Sequence, residues 1–238
     1  VPDGYISAHA NHPRIRQFPL SDPANCLYAP DVISLAREKG WFSGRDEEFS
    51  FCDTYAPLTA SKLRSCEARV WSVFRRAAPS LGLTVDYVDG STLQKRMPLW
   101  IKPDRKLSVQ DVAALMRDHY EGTAFDMNRD LGGGPFASPY RWRPMAWEVD
   151  SVKYLHERAI STQQTGFSFV AQSRASLPDP IGGVLWFGVD DTYTTVYVPF
   201  YCGITRAPKS WAAGTADFGS FSRESAFWVF NFVANWAY

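Results

Sequence analysis

Between residues 157 and 202 the chain reads ERAISTQQTGFSFVAQSRASLPDPIGGVLWFGVDDTYTTVYVPFYC. Two runs within it, 159–174 and 183–201, alternate polar and apolar residues and are rich in Thr, Val, Phe, Trp and Tyr. Successive side chains of a strand point to opposite faces, so a period of two in β-branched and aromatic residues marks a half-buried strand. Residues 176–183 and 189–193 hold the Pro, Gly and Asp that let a chain reverse. The pattern predicts three or four antiparallel strands that form most of one sheet, with the rest of the chain packed on it or extending it.

The flanking segments read mainly as helices. Leu63, Cys66, Val70, Phe74 and Ala77 recur at intervals of three and four, which predicts a helix over 61–77 with one buried stripe, stopped by Pro79. Ser108 with Asp111 three residues on is a capping-box start for a helix over 108–120, with Val112, Leu115 and Met116 inward and Gly122 beyond its end. A shorter helix over 31–39 has Asp31 at its N-cap and Gly40 past its end. Residues 222–238 are apolar on nearly every helical face, which predicts a helix buried on both sides. Short strands are expected at 5–10 and 84–88. An order of strand, helices, sheet and helix argues for an α+β fold rather than regular βαβ alternation.

Charge and cysteine usage narrow the function classes. Lys+Arg and Asp+Glu both number 25, so no net field draws the chain to nucleic acid or to an anionic membrane. No apolar run approaches the roughly 20 residues needed for a membrane span. Cys26, Cys52, Cys66 and Cys202 show no CxxC spacing; a Cys52–Cys66 bridge and buried free thiols both stay open. His9 and His12 form HxxH with no HExxH arrangement, so no metal site is expected. The LGGGP segment has no strand before it and no GK[ST] after it, and no cofactor is expected. The sequence opens without an initiator Met and stops inside an uncapped helical run, and we expect a single domain that is an internal piece of a longer protein.

Few residues offer chemistry by themselves. His119 and Glu121 close a helix in HYEGT, where convergent polar groups make a candidate substrate contact; a histidine favoured by the helix dipole explains the same pattern. No cysteine carries a neighbouring base, and GxSxG is absent, so no complete nucleophilic set is present.

The succession DGYISAHANHPRI, ARVWSVFRRAAPS, MRDHYEGTAFD, ERAISTQQTGFSFVAQSRASLPDPIGGVLWFGVDD, VPFYCG and SAFWVFNFVANWA resembles the PepD-type dipeptidases across nearly the whole chain. That resemblance implies a cysteine-type exopeptidase of the N-terminal-nucleophile hydrolase class, whose fold is an α/β/β/α sandwich of two antiparallel sheets with helices outside. It also implies that an N-terminal cysteine upstream of the matched region attacks the peptide bond, its own α-amine acting as base, so that this chain alone is inactive. Asn11, in HANHP, is similar to the asparagine lining the oxyanion hole of choloylglycine-type amidases. Arg69 falls in the segment similar to the one holding their active-site arginine, where it would position the nucleophile and lower its pKa. A dipeptide carries a free carboxylate, for which a bidentate guanidinium is the natural receptor, and Arg174 or Arg143 is expected there. The implied partner is a dipeptide; a homo-oligomer stays open, and a secreted or periplasmic location is favoured. Two other readings stay open: a non-catalytic glycan- or peptide-binding module using the aromatic residues 140–147 and Trp211, and a related amidase acting on acyl-amino acids or bile-salt-like amides.

Overall fold

The computed structural model describes residues 1–93, 95–141 and 146–237. The chain forms two compact units: Val1–Lys106 with Met145–Arg158, and Leu107–Pro144 with Ala159–Tyr238. Both mix helices with small antiparallel sheets, so the fold is α+β.

In the first unit, β1 (Ile6–Ser7) pairs antiparallel with β2 (Trp100–Ile101), placing Ile6 opposite Ile101. The strand expected over 5–10 is this short because its partner lies between Pro98 and Pro103, which cannot donate to a ladder. Helix α1 (Val32–Glu38) follows Asp31 and is succeeded by Gly40 in the left-handed region at φ 71°. It shares a core with α2 (Phe51–Tyr55), in which Val32, Ile33, Ala36 and Phe49 pack against Phe18, Tyr28, Phe42 and Tyr55. The helix expected over 61–77 is three consecutive pieces: α3 (Ala60–Lys62), a π-helical turn (Leu63–Glu67) and α4 (Ala68–Ala77). All five residues of the expected stripe are buried, and Phe74 is completely so. Residues 84–88 are not a strand; Val85–Tyr87 forms a 3₁₀ turn, and the Thr84 hydroxyl donates to the Asp86 carboxylate. Such local side-chain bonding competes with a strand ladder. A hairpin, β3 (Ala146–Val149) and β4 (Val152–Leu155), turns on Asp150 and Ser151, both at positive φ as a two-residue turn requires.

The second unit contains the sheet expected from residues 159–201. Strands β5 (Phe167–Ser173), β6 (Gly183–Val189) and β7 (Val198–Tyr201) form it in that order, all antiparallel, with Val170 opposite Trp186 and Leu185 opposite Phe200. The β5–β6 reversal carries a one-turn helix, α6 (Asp179–Gly182). A Cβ at Gly188 would sit 2.5 Å from Thr195 Oγ1, so any larger residue at this strand position requires the Thr195 side chain to move. Helix α5 (Val109–Met116) begins with the expected capping box: Ser108 accepts from Asp111 N, and the Asp111 carboxylate accepts from Ser108 N. It ends at Met116 rather than 120 because side chains take over the next backbone donors. Asp118 Oδ2 accepts from Tyr120 N at 3.2 Å, Glu121 Oε2 accepts from His119 N at 3.0 Å, and Tyr120 turns to φ 64°. Helix α7 (Ala226–Ala237) departs from expectation in burial: only Ala226 is buried, while Trp236 is 80% exposed and Phe232 49%.

Candidate functional site

Asn11 and Arg69, 58 residues apart in sequence, meet in the first unit. Arg69 Nη2 donates to Asn11 Oδ1 at 2.8 Å, and Arg69 Nε donates to the Ser65 carbonyl at 2.9 Å. Nη2 also lies 3.8 Å from Cys66 Sγ. Ser65 and Cys66 belong to the π-helical turn that leads into α4, a local widening often found at functional sites. A guanidinium offers donors and no acceptor, so the amide oxygen of Asn11 must be the atom facing it. The Nδ2 donors of Asn11, on an exposed residue, are left without a hydrogen bond among the described residues.

Beneath this pair lies a buried ion pair that sequence reasoning missed. Arg14 Nε donates to Glu67 Oε2 at 3.2 Å, with both side chains 3% exposed or less. The other N–H groups of Arg14 reach the carbonyls of Ala8 (2.9 Å), Met97 (3.2 Å), Pro98 (2.6 Å) and Leu99 (3.4 Å), and its guanidinium lies over the Phe74 ring. Burial lowers the Arg14 pKa from its ordinary value, and the Glu67 charge opposes that shift. His9 is likewise lowered, by burial and then by the Arg14 charge. His12 is buried and its Nε2 is 2.8 Å from the Ala56 carbonyl. One sequence signal pointed at Glu67: it falls on the apolar stripe of its helix, between Leu63, Val70 and Phe74, where a carboxylate needs a partner. In the same unit an apolar groove of about 630 Å³ is lined by Ile15, Phe18, Tyr28, Phe51, Leu99 and Trp100.

His119 and Glu121 are also brought together, in the second unit. His119 Nδ1 is 3.3 Å from Glu121 Oε1, and the ring lies edge-on to Tyr193 and Tyr140 at 4.9 and 6.0 Å. The His119 side chain is enclosed, at 1% exposure, whereas that of Glu121 is 44% exposed, so only the carboxylate of this pair faces solvent. Burial alone would raise the Glu121 carboxyl, but the hydrogen bonds from the His119 ring and backbone outweigh it and hold the pKa at about 2. Around them runs a buried polar network. The Tyr140 hydroxyl donates to Asp191 Oδ2, Ser161 Oγ donates to Asp191 Oδ1 at 2.7 Å, and Thr192 Oγ1 donates to the Met116 carbonyl at 2.8 Å. Burial and the bond to Asp191 push the Tyr140 phenol well above its ordinary value. A cavity of about 230 Å³ beside it is lined by Tyr140, Gln163, Asp190, Asp191, Asn231 and Asn235.

Arg174 closes the β5–β6 reversal. Its Nη2 donates to the Ile181 carbonyl, its backbone N–H donates to the Gly182 carbonyl at 2.8 Å, and its guanidinium lies 6.0 Å from the Tyr201 ring. Arg143 lies outside the described residues. Trp211, half-buried, contacts the rings of Phe187, Phe200 and Phe230. All four cysteines are free thiols, which settles the Cys52–Cys66 alternative. Among the described residues no helix is long and apolar enough to cross a membrane, and no group of three or more His, Cys, Asp or Glu is placed to hold a metal ion.

An α+β chain with a paired asparagine and arginine at a surface site is compatible with a hydrolase of the peptidase class. The family model described as Peptidase family C69 matches residues 1–238, and the chain belongs to that family. It is 29% identical over 202 residues to a protein named "Probable dipeptidase" from Salmonella dublin, covering 85% of this chain and 40% of that protein. A "Probable dipeptidase" from Latilactobacillus sakei is 26% identical over 84% of this chain and 37% of its own length. "Dipeptidase A" from Lactobacillus helveticus is 21% identical over 96% of this chain and 42% of its own length. The chain thus spans about two-fifths of the length of the curated relatives it matches.

Proposed function

We propose that this chain is the part of a cysteine-type dipeptidase that supplies the oxyanion-stabilising amide and the arginine of the catalytic centre. The observation that carries the reading is the Arg69–Asn11 hydrogen bond, which engages the amide oxygen and leaves the N–H donors of Asn11 available. A donor fixed in that way needs no reorganisation as negative charge develops on a tetrahedral intermediate. The attacking thiol in this reading is the N-terminal cysteine that the family resemblance implies, outside this sequence; of the chain's own thiols, Cys52 and Cys66 are buried, and burial pushes the Cys52 thiol above its ordinary pKa, the opposite of activation. In the proposed reaction that thiolate adds to the peptide carbonyl carbon, the C–N bond breaks, and the departing amine takes the proton first held by the nucleophile's α-amine. Water then hydrolyses the thioester. Arg69 stabilises the site as a fixed positive charge beside the nucleophile. Arg174, a guanidinium at the β5–β6 reversal, or Arg143, receives the substrate carboxylate. Glu121 supplies an exposed carboxylate for the substrate's ammonium, with His119 holding it in place. The helices and antiparallel sheets support assignment to an α/β/β/α sandwich of the N-terminal-nucleophile type.

The test is amino-acid release from a panel of dipeptides by the protein in its natural length. The reading expects turnover that thiol alkylation abolishes and that Asn11→Ala reduces without unfolding the protein. Saturable dipeptide binding with no release of amino acids, or turnover indifferent to alkylation, contradicts it.

A further inference from the structure

The loop that carries Asn11 is short, polar and exposed at its tip, and a segment of that kind is mobile unless its backbone is tied down. Here it is tied by its own far end. Arg14 Nη1 donates back to the Ala8 carbonyl at 2.9 Å, closing residues 8–14 into a ring with Asn11 at the apex. The same guanidinium holds the β2 approach through the carbonyls of Met97, Pro98 and Leu99. Its remaining donor, Nε, goes to Glu67, the last residue of the π-helical turn and two residues before Arg69. Five N–H groups thus meet five acceptors, drawn from the loop bearing Asn11, from the β2 approach, and from the helix bearing Arg69. Lysine, with three donors radiating from one nitrogen, cannot reproduce that planar fork.

We infer that the buried Arg14–Glu67 ion pair is a positioning device for the oxyanion site, fixing the Asn11 loop against the helix that carries Arg69. This rests on the reading of Asn11 and Arg69 given above. Neither Arg14 nor Glu67 touches substrate in this account; both act through Asn11 and Arg69. A buried ion pair is a costly means of holding two elements together, since well-packed apolar side chains of similar volume often stabilise as well or better. What apolar side chains do not supply is a fixed direction and length, because hydrophobic contact is non-directional whereas a guanidinium fork is not.

That difference gives the test. In the natural-length protein we compare Arg14→Lys, the apolar pair Arg14→Met with Glu67→Leu, and Asn11→Ala, each by kcat and KM on a dipeptide and by thermal unfolding. Arg14→Lys keeps a cation opposite Glu67 and loses the planar fork, and it is the milder variant where the apolar pair fails to fold. A positioning role predicts that Arg14→Lys lowers kcat by at least about tenfold with KM within about threefold, as expected when an interaction realised in the transition state is lost. It also predicts that the apolar pair, where folded, restores the unfolding temperature but not turnover. Turnover within about twofold of the parent in Arg14→Lys, or in a folded apolar pair, overturns the inference. If Asn11→Ala is itself silent, the oxyanion reading fails; if Asn11→Ala is damaging and Arg14→Lys silent, that reading stands and the positioning role alone is lost.

Discussion

Replacing Asn11 with aspartate separates the two things its amide does. The carboxylate of Asn11→Asp occupies nearly the same volume and still accepts from Arg69 Nη2, where the amide oxygen now accepts at 2.8 Å. Because Asn11 is exposed, that new ion pair changes stability by only about 0–1 kcal/mol. What disappears is the N–H pair left free by that contact, and in the proposed reading a negative charge takes its place where an oxyanion would develop. Losing one oxyanion donor typically costs about 10²–10³ in kcat, or about 2.7–4 kcal/mol. We therefore expect Asn11→Asp to fall by at least that factor and Asn11→Ala by at least tenfold, with both unfolding within a few degrees of the parent. The assay is steady-state release of amino acids from a dipeptide by the natural-length protein, paired with thermal unfolding of each variant. Asn11→Asp that retains parental kcat, while folding normally, refutes the reasoning, since a carboxylate cannot donate.

Three further outcomes follow from the geometry. Ser108→Ala removes the hydroxyl that accepts from Asp111 N at 3.1 Å and should cost about 1 kcal/mol in chemical denaturation, with kcat unchanged. Phe74→Ala empties a completely buried position under Arg14 and should cost about 3–5 kcal/mol, read as a lower denaturant midpoint. Glu121 has a folded pKa of about 2, below the ordinary value of about 4.3, so its contribution to stability is present above about pH 4.5 and is lost as the pH falls toward 2. With its side chain 44% exposed, that contribution is about 1 kcal/mol, and Glu121→Gln should flatten the acid limb of the stability curve by that amount.

The sheet was readable from residues 159–201 because alternation marks the strands and the turn residues mark their reversals, while the register itself comes from the structure. The π-helical turn was not, since Leu63, Cys66 and Val70 satisfy an ordinary helical stripe and no proline or glycine marks the change. The early end of α5 depends on where the Asp118 and Glu121 side chains fold back, a choice that helical periodicity does not register. At the candidate site, Asn11 and Arg69 were accessible through resemblance, and the structure brings them together. The clamp beneath them was partly visible, in a glutamate on an apolar stripe. Its partner was not, because Arg14 finds Glu67 across 53 residues and acceptors near residue 98 across 80 or more. The enclosure of His119 likewise depends on Tyr140 and Tyr193, far along the chain, and no local pattern distinguishes it from an exposed helix-end histidine.

The central claim is that the Asn11 amide faces the developing oxyanion. Its most direct test is a crystal structure of the natural-length protein with a dipeptide aldehyde, whose carbonyl would form a tetrahedral hemithioacetal with the proposed cysteine nucleophile. The account predicts that hemithioacetal oxygen about 2.7–3.1 Å from Asn11 Nδ2, with Arg69 still bonded to Oδ1. An oxygen bound by other donors, with Asn11 Nδ2 beyond about 3.5 Å, contradicts it.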